Sequence, residues 1–235
     1  MSEIRLLPRV RLAACLLAAA ALLPASRAYA QSCIGTASFR ANPVRVGGFL
    51  GTGDDVTTLG AEVMFGSPVG PFGGVGVALD DFDELDESAT TIEGTLGYQV
   101  PIGTGVRRTA GGPQFCPIAT LGYTLGPDFR AGGVDFESRT LGASAGFSLG
   151  VPVAMTPTVN LVPFGGLALI YQRTTVSAGD EDDTDSDSFG ALNLGAGLTF
   201  NDRFTVRPAI GIPIGLEGAD SRFSLTFAIN FGGTR

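Results

Sequence analysis

The closing stretch of the chain, SRFSLTFAINFGGTR (residues 221–235), puts an apolar side chain at every second position. Phe223, Leu225, Phe227, Ile229 and Phe231 form one set, and Arg222, Ser224, Thr226, Ala228 and Asn230 fall between them. A helix would smear the two sets around its circumference, whereas a strand separates them onto opposite faces. The same asymmetry recurs upstream. Ile92, Leu96, Tyr98, Val100 and Ile102 alternate with Glu93, Thr95, Gly97 and Gln99. Leu141, Ala143, Ala145, Phe147, Leu149 and Val151 alternate with Thr, Gly and Ser. Leu192, Leu194, Ala196, Leu198 and Phe200, and then Phe204, Val206, Pro208, Ile210, Ile212 and Ile214, repeat the pattern. One face is bulky throughout; the other is small, polar or glycine.

A soluble sandwich buries its bulky face and turns a charged, solvated face to water. Here the second face is Gly, Ala, Ser and Thr with an occasional Arg or Glu, which suits the cramped interior of a small closed barrel. The bulky face then looks outward to lipid. The pattern predicts ten strands, near 43–51, 56–66, 72–79, 90–102, 114–125, 138–152, 158–172, 189–200, 203–214 and 221–232. The fold expected is all-β: a closed antiparallel up-and-down transmembrane β-barrel. Pro117, Pro163 and Pro208 fall inside these segments, and because proline donates nothing to a ladder they leave eight strands as the alternative count.

The first thirty residues read as an export signal. Arg5, Arg9 and Arg11 precede the apolar run LAACLLAAAALLP, and Ala28-Tyr29-Ala30 offers small residues for cleavage before Gln31. The expected organisation is therefore a cleaved signal peptide at 1–30, a periplasmic N-terminal segment at 31–42 and an outer-membrane barrel at 43–235. Cleavage removes four arginines and one glutamate, which leaves 11 basic and 22 acidic groups and a net charge of −11. That balance excludes nucleic acid as a partner class.

An even strand count returns both termini to one side. With the N-terminus periplasmic, the connections GTGDD, DDFDELDES, GPDFRAGGVDFE, TTVSAGDEDDTDSDS and LEGADS lie outside the cell. GSPVGP, GTGVRRTAGGPQ, VAMTP and ND lie inside. Nearly all the acidity sorts to the outer set, although charge played no part in placing the strands. Long outer loops and short periplasmic turns are the arrangement expected of such barrels. Tyr123 and Tyr171 mark the outer ends of the lipid face, and Phe65, Tyr98, Phe115, Phe200, Phe204 and Phe231 the inner ends, as two interfacial girdles.

On these features, residues 31–235 resemble the small outer-membrane β-barrel proteins, the broad porin-like, OmpA/OmpW-like group. The resemblance implies outer-membrane lipid as the surroundings. It also implies insertion by a barrel assembly machinery that reads a last strand ending in an aromatic residue. FSLTFAINF is similar, although Phe231 is followed here by Gly-Gly-Thr-Arg.

Site chemistry is narrowly bounded. The chain has no His, and all 15 basic residues are Arg, so bases and nucleophile partners built on His or Lys are missing and no enzyme is expected. Glu62 and Glu93 are the interior carboxylates. A first hairpin turning at residues 53–54 sets Arg45 directly opposite Glu62 as a lumen ion pair, with Arg207 and Arg222 as further cations. Cys33 and Cys116, the two cysteines of the exported chain, are expected to form a disulfide that ties the N-terminal segment to the barrel. Asp183, Asp185 and Asp187 form a D-x-D-x-D array that can gather oxygens for a divalent cation such as Ca²⁺, but they lack the EF-hand glycine and twelfth-position acid. A solvated, mobile acidic loop is the plainer expectation. No cofactor is expected. The function read from the sequence is a structural or surface-contact barrel presenting acidic extracellular loops; the alternative is a narrow, porin-like transport barrel for small or apolar solutes.

Overall fold

The computed structural model describes residues 30–37, 44–53, 56–67, 69–82, 87–103, 112–131, 134–179, 181–215 and 221–231. Residues 1–29 of the expected signal peptide (1–30) and residues 38–43 lie outside them. Ten antiparallel strands form the wall: β1 Val44–Gly53, β2 Val56–Gly66, β3 Gly70–Phe82, β4 Glu87–Pro101, β5 Gln114–Leu125, β6 Val134–Gly150, β7 Val159–Ala178, β8 Glu181–Phe200, β9 Phe204–Ile214 and β10 Arg222–Phe231. Each strand pairs with the next, and β10 returns to β1 from Phe223↔Thr52 to Phe231↔Val44, so the sheet closes into a barrel. Two short pieces decorate it: Phe129–Ala131 pairs with the start of β6, and Val153–Thr156 with the start of β7.

The bulky face points outward on every strand. Leu59, Val75, Leu96, Leu121, Leu169 and Phe227 are each half or more exposed, with no protein layer beyond them. Large apolar side chains arrayed outward around a closed sheet make this a transmembrane barrel, with lipid as the solvent of its outer face. At one end Phe65, Tyr98, Phe200, Phe204 and Phe231 stand outward, and at the other Tyr123 and Tyr171 do so. These are the two expected girdles.

The three prolines do not reduce the count to eight. Pro117 pairs with Phe147 on one side, while the β4–β5 ladder skips from Gly97↔Ile118 to Val100↔Phe115 on the other. Pro208 pairs with Leu225, while the β8–β9 ladder skips from Gly195↔Ala209 to Leu198↔Val206. Pro163 sits where β6 has just ended, its carbonyl accepting from Val151 N at 3.0 Å. Each proline thus meets a local gap in one ladder while the other continues.

The connection β8–β9 is the three-residue turn Asn201–Arg203, with Asn201 and Asp202 left-handed at φ 52° and 54° and Arg203 N donating to Phe200 O at 3.0 Å. Those angles match a turn whose twist suits a hairpin, and Asn and Asp tolerate them. At the opposite end β7 and β8 run far past the expected loop. Each has 20 residues, against about 9–11 needed to cross a bilayer, and they pair without a break from Val159↔Phe200 to Ala178↔Glu181. The acidic segment 173–188, expected as a mobile loop, is therefore mostly a paired hairpin, braced on one side by β6 up to Ala178↔Phe136. The other edge, on β8 from Glu181 to Phe189, has no strand partner among the described residues, since β9 pairing begins at Gly190↔Ile214. Its row of carboxylates discourages edge-to-edge pairing.

Candidate functional site: a plugged lumen with segregated charge

The lumen face is built from alternate residues of every strand, and its glycines make room for inward rings. Phe49 lies opposite Gly60, Phe72 opposite Gly97 and Phe164 opposite Gly195. A Cβ on any of these three glycines would overlap the facing ring. The rings cover the bare backbone of the neighbouring strand and thin the lumen from within.

Charge is segregated around the wall. Glu62, Asp80 and Glu93 project from β2, β3 and β4, while Arg207, Arg222 and Arg45 project from β9, β10 and β1. Arg45 Nη2 lies 2.8 Å from Glu62 Oε1. The pairing differs from the expected one in register: Arg45 faces Met64 and Glu62 faces Gly47, so the ion pair is diagonal. The hairpin turns one residue later than expected, which moves every cross-strand partner by two, and the long arginine side chain spans the offset. Arg45 also donates to Met64 Sδ and is almost fully buried. Arg207 acts electrostatically on both members of the pair. Asp80 accepts from Thr58 Oγ1 at 2.5 Å and from Thr91 Oγ1 at 3.2 Å, and Thr91 continues to Thr124 at 2.9 Å. Glu93 and Arg222 have no hydrogen-bond or ion-pair partner among the described residues.

Residues 31–42 were expected as a periplasmic N-terminal segment that the disulfide ties to the barrel. The short pieces Ala30–Gln31 and Thr36–Ala37 pair with each other, and the turn of 3-10 helix between them, Ser32–Ile34, enters the barrel end. Cys33 is bonded to Cys116 of β5, with Cα atoms 5.8 Å apart, and both are buried. Ser148 Oγ donates to Cys33 O at 2.6 Å, and Arg207 Nη1 donates to Ile34 O at 2.9 Å while its Nη2 holds Thr226 Oγ1 at 3.0 Å. Gly35 adopts φ 66°, turning the chain beside the Phe164 ring. Gly197 of β8 is obligatory here, because any Cβ would collide with Gly35 O. The insertion leaves no orphaned carbonyl there: lumen donors from β6 and β9 satisfy Cys33 O and Ile34 O. Gln99 Nε2, also buried at this end, donates to Ser67 O at 2.9 Å.

Asp183, Asp185 and Asp187 sit on alternate positions of β8 opposite Val176, Thr174 and Gln172. In a strand, i and i+2 side chains stand about 7 Å apart along a line, so the three carboxylates do not converge on one ion. Among the described residues no group of three or more His, Cys, Asp or Glu could hold a metal ion.

At the end opposite the plug the lumen opens into a cavity of about 430 Å³ against β1, β2 and β7–β10.

No protein family matches the chain, and no curated protein matches it. Among solved structures it is similar to the N-terminal β-barrel domain of OprF from Pseudomonas aeruginosa, at 13% identity over 82% of this chain and 100% of that one, with a TM-score of 0.38. It is also similar to Ail, the attachment invasion locus protein of Yersinia pestis, at 11% identity over 81% and 98% of the two chains, with a TM-score of 0.34. A third is the KdgM porin solved with disordered oligogalacturonate, at 8% identity over 80% and 99%, with a TM-score of 0.35. The barrel assignment itself rests on this chain's own closed ladder and outward apolar face.

Proposed function

We propose that this chain is a non-enzymatic outer-membrane barrel, exported by a cleaved signal peptide, that presents a paired acidic hairpin at the cell surface and does not conduct solutes. In this reading the plugged end and the Asn201-Asp202 turn face the periplasm, and the β7–β8 hairpin stands outside the cell. The observation that carries it is the inserted segment: Cys33 and Ile34 sit in the barrel end, held by a covalent bond and by donors from two walls. A transport barrel needs a continuous water path, and a segment bonded across one end of the lumen works against one. The hairpin supports the surface-contact role, because Glu181, Asp182, Asp183, Asp185 and Asp187 ride on a paired strand and present a fixed array to a cationic surface or partner. Its screened range in physiological salt is about 8 Å, so contact would be short-range and salt-sensitive. Insertion through the C-terminal strand fits the same reading, since Phe231 ends β10 on the lipid face.

Planar-bilayer recording of the oxidised, full-length protein tests the proposal. No reproducible conductance steps are expected at any protein concentration. Regular steps under oxidising conditions would overturn it in favour of the transport reading.

A further inference from the structure

We propose that the open-end cavity is a binding site for a small anionic amphiphile, an apolar body carrying a single carboxylate. The inference is independent of the surface-contact reading and concerns the other half of the lumen. The cavity, about 430 Å³, is within the size of small-molecule sites. Its two sides differ in a way a mere water-filled vestibule does not require. Toward β2–β6 the lumen polar groups pair with one another: Thr58 with Asp80, Asp80 with Thr91, Thr91 with Thr124, and Thr140 with Thr174 of β7 at 2.9 Å. Around the cavity, Phe49, Ile170, Phe189 and Pro213 are apolar groups on the lumen side of their strands. These four apolar groups line the cavity together at the open end, away from the inward Phe72, Phe164 and Met64.

Among them stands Arg222, whose side chain packs along Gly53 and has no ion pair or hydrogen bond among the described residues. Gln172 and Asn193 also line the cavity and are likewise unpaired among the described residues. A guanidinium next to apolar walls, with amide donors nearby, selects a carboxylate head on a compact apolar body. Among the described residues, the acids of the lumen project from β2, β3 and β4, strands that contribute only Val56 and Thr58 to this cavity.

The test uses full-length oxidised protein in nanodiscs of zwitterionic lipid, titrated calorimetrically with decanoate and with the uncharged decanol, with protein-free nanodiscs subtracted. Decanoate is expected to bind saturably and about tenfold more tightly than decanol, the scale of a hydrogen bond to a charged group. Arg222→Gln should remove that difference and leave decanol binding unchanged, and Arg222→Lys should restore part of it. Ser224→Phe, which fills the cavity from β10, should abolish saturable binding of both. Each variant's heat-modifiable migration in gels reports that the barrel has formed. Equal affinities for decanoate and decanol in the wild type, a decanoate affinity that survives Arg222→Gln, or heat signals no larger than those of empty nanodiscs would each overturn the proposal.

Discussion

Cutting the Cys33–Cys116 bond should release the plug while leaving the barrel standing. Without the bond, the turn from Ser32 to Gly35 is held by Ser148 Oγ on Cys33 O and by Arg207 Nη1 on Ile34 O, together with partial burial of Ile34 against the Cys33 cluster. A neutral hydrogen bond contributes about 1 kcal/mol and one from a charged donor about 1.5–3 kcal/mol. Partial burial of an isoleucine adds about 1–2 kcal/mol. Fixing the backbone of four residues costs about 4–8 kcal/mol. The sum is near zero or unfavourable, so the covalent bond decides whether the plug is seated. The bond also closes a separation of 83 residues, which in the chain-entropy account adds about 4.5 kcal/mol to the stability of the whole fold. The perturbation is the double variant Cys33→Ser, Cys116→Ser, and the assay is hydrogen exchange read by mass spectrometry in lipid. Protection at the Ile34 and Gly35 amides should fall to within about tenfold of an unstructured peptide, as expected of a local opening near balance. The amides of β5 should stay protected. If the 33–35 segment keeps its protection without the bond, the contacts alone seat the plug and the reasoning fails. If β5 loses protection too, the bond holds the barrel and not merely its plug.

Two further outcomes follow from the wall. Phe227, outward and half exposed near the middle of β10, becomes a charge in lipid on Phe227→Arg, which should cost about 2–4 kcal/mol in urea unfolding from vesicles; Ala228→Ser on the lumen face should cost far less, and equal losses would contradict the facing of β10. Glu62→Gln should cost about 3 kcal/mol, because it leaves the buried Arg45 uncompensated with Arg207 nearby; Arg45→Met combined with Glu62→Gln should recover most of that loss, and a double variant no better than the single one would show that the pair's charge is not what matters.

The facing of the strands near 92–102, 141–151, 192–200, 204–214 and 223–231 was legible because lipid imposes one rule on their outer face: bulky side chains out, small or polar ones in. Phe227, Leu198, Phe147 and Leu96 each obey it. Strand limits were legible only where that rule operates. Beyond the bilayer the alternation stops, and the segment TTVSAGDEDDTDSDS carries no apolar period to announce that Thr174 pairs with Asp185 and Val176 with Asp183. There the backbone ladder inherits its register from the membrane-spanning part of the same hairpin, which a local reading of composition does not see. The ion pair shows the same limit at finer scale. Its members were legible as two opposite charges on one lumen face, but a turn displaced by one residue changes every partner, and only the reach of arginine keeps Arg45 on Glu62.

The plug was half legible, and the missing half was geometric. Two cysteines in an exported chain point to a bond, yet nothing in Ser32–Ile34 has a period that says inside or outside. The decisive residues are Gly197 and Gly35, whose missing side chains let two backbones meet, and Ser148 and Arg207, whose donors meet two carbonyls. In the sequence, Gly197 and Ser148 are indistinguishable from the other small residues of the lumen face, and Arg207 reads only as a spare cation. A small-residue face thus has two meanings, empty space or space held for a backbone or ring. Phe49 over Gly60, Phe72 over Gly97 and Phe164 over Gly195 belong to the second. A phenylalanine on the small face, set opposite a glycine in register, is the available sign that the lumen is filled. The cavity beside Phe49 lies at the opposite end of the lumen from Cys33 and Gly35.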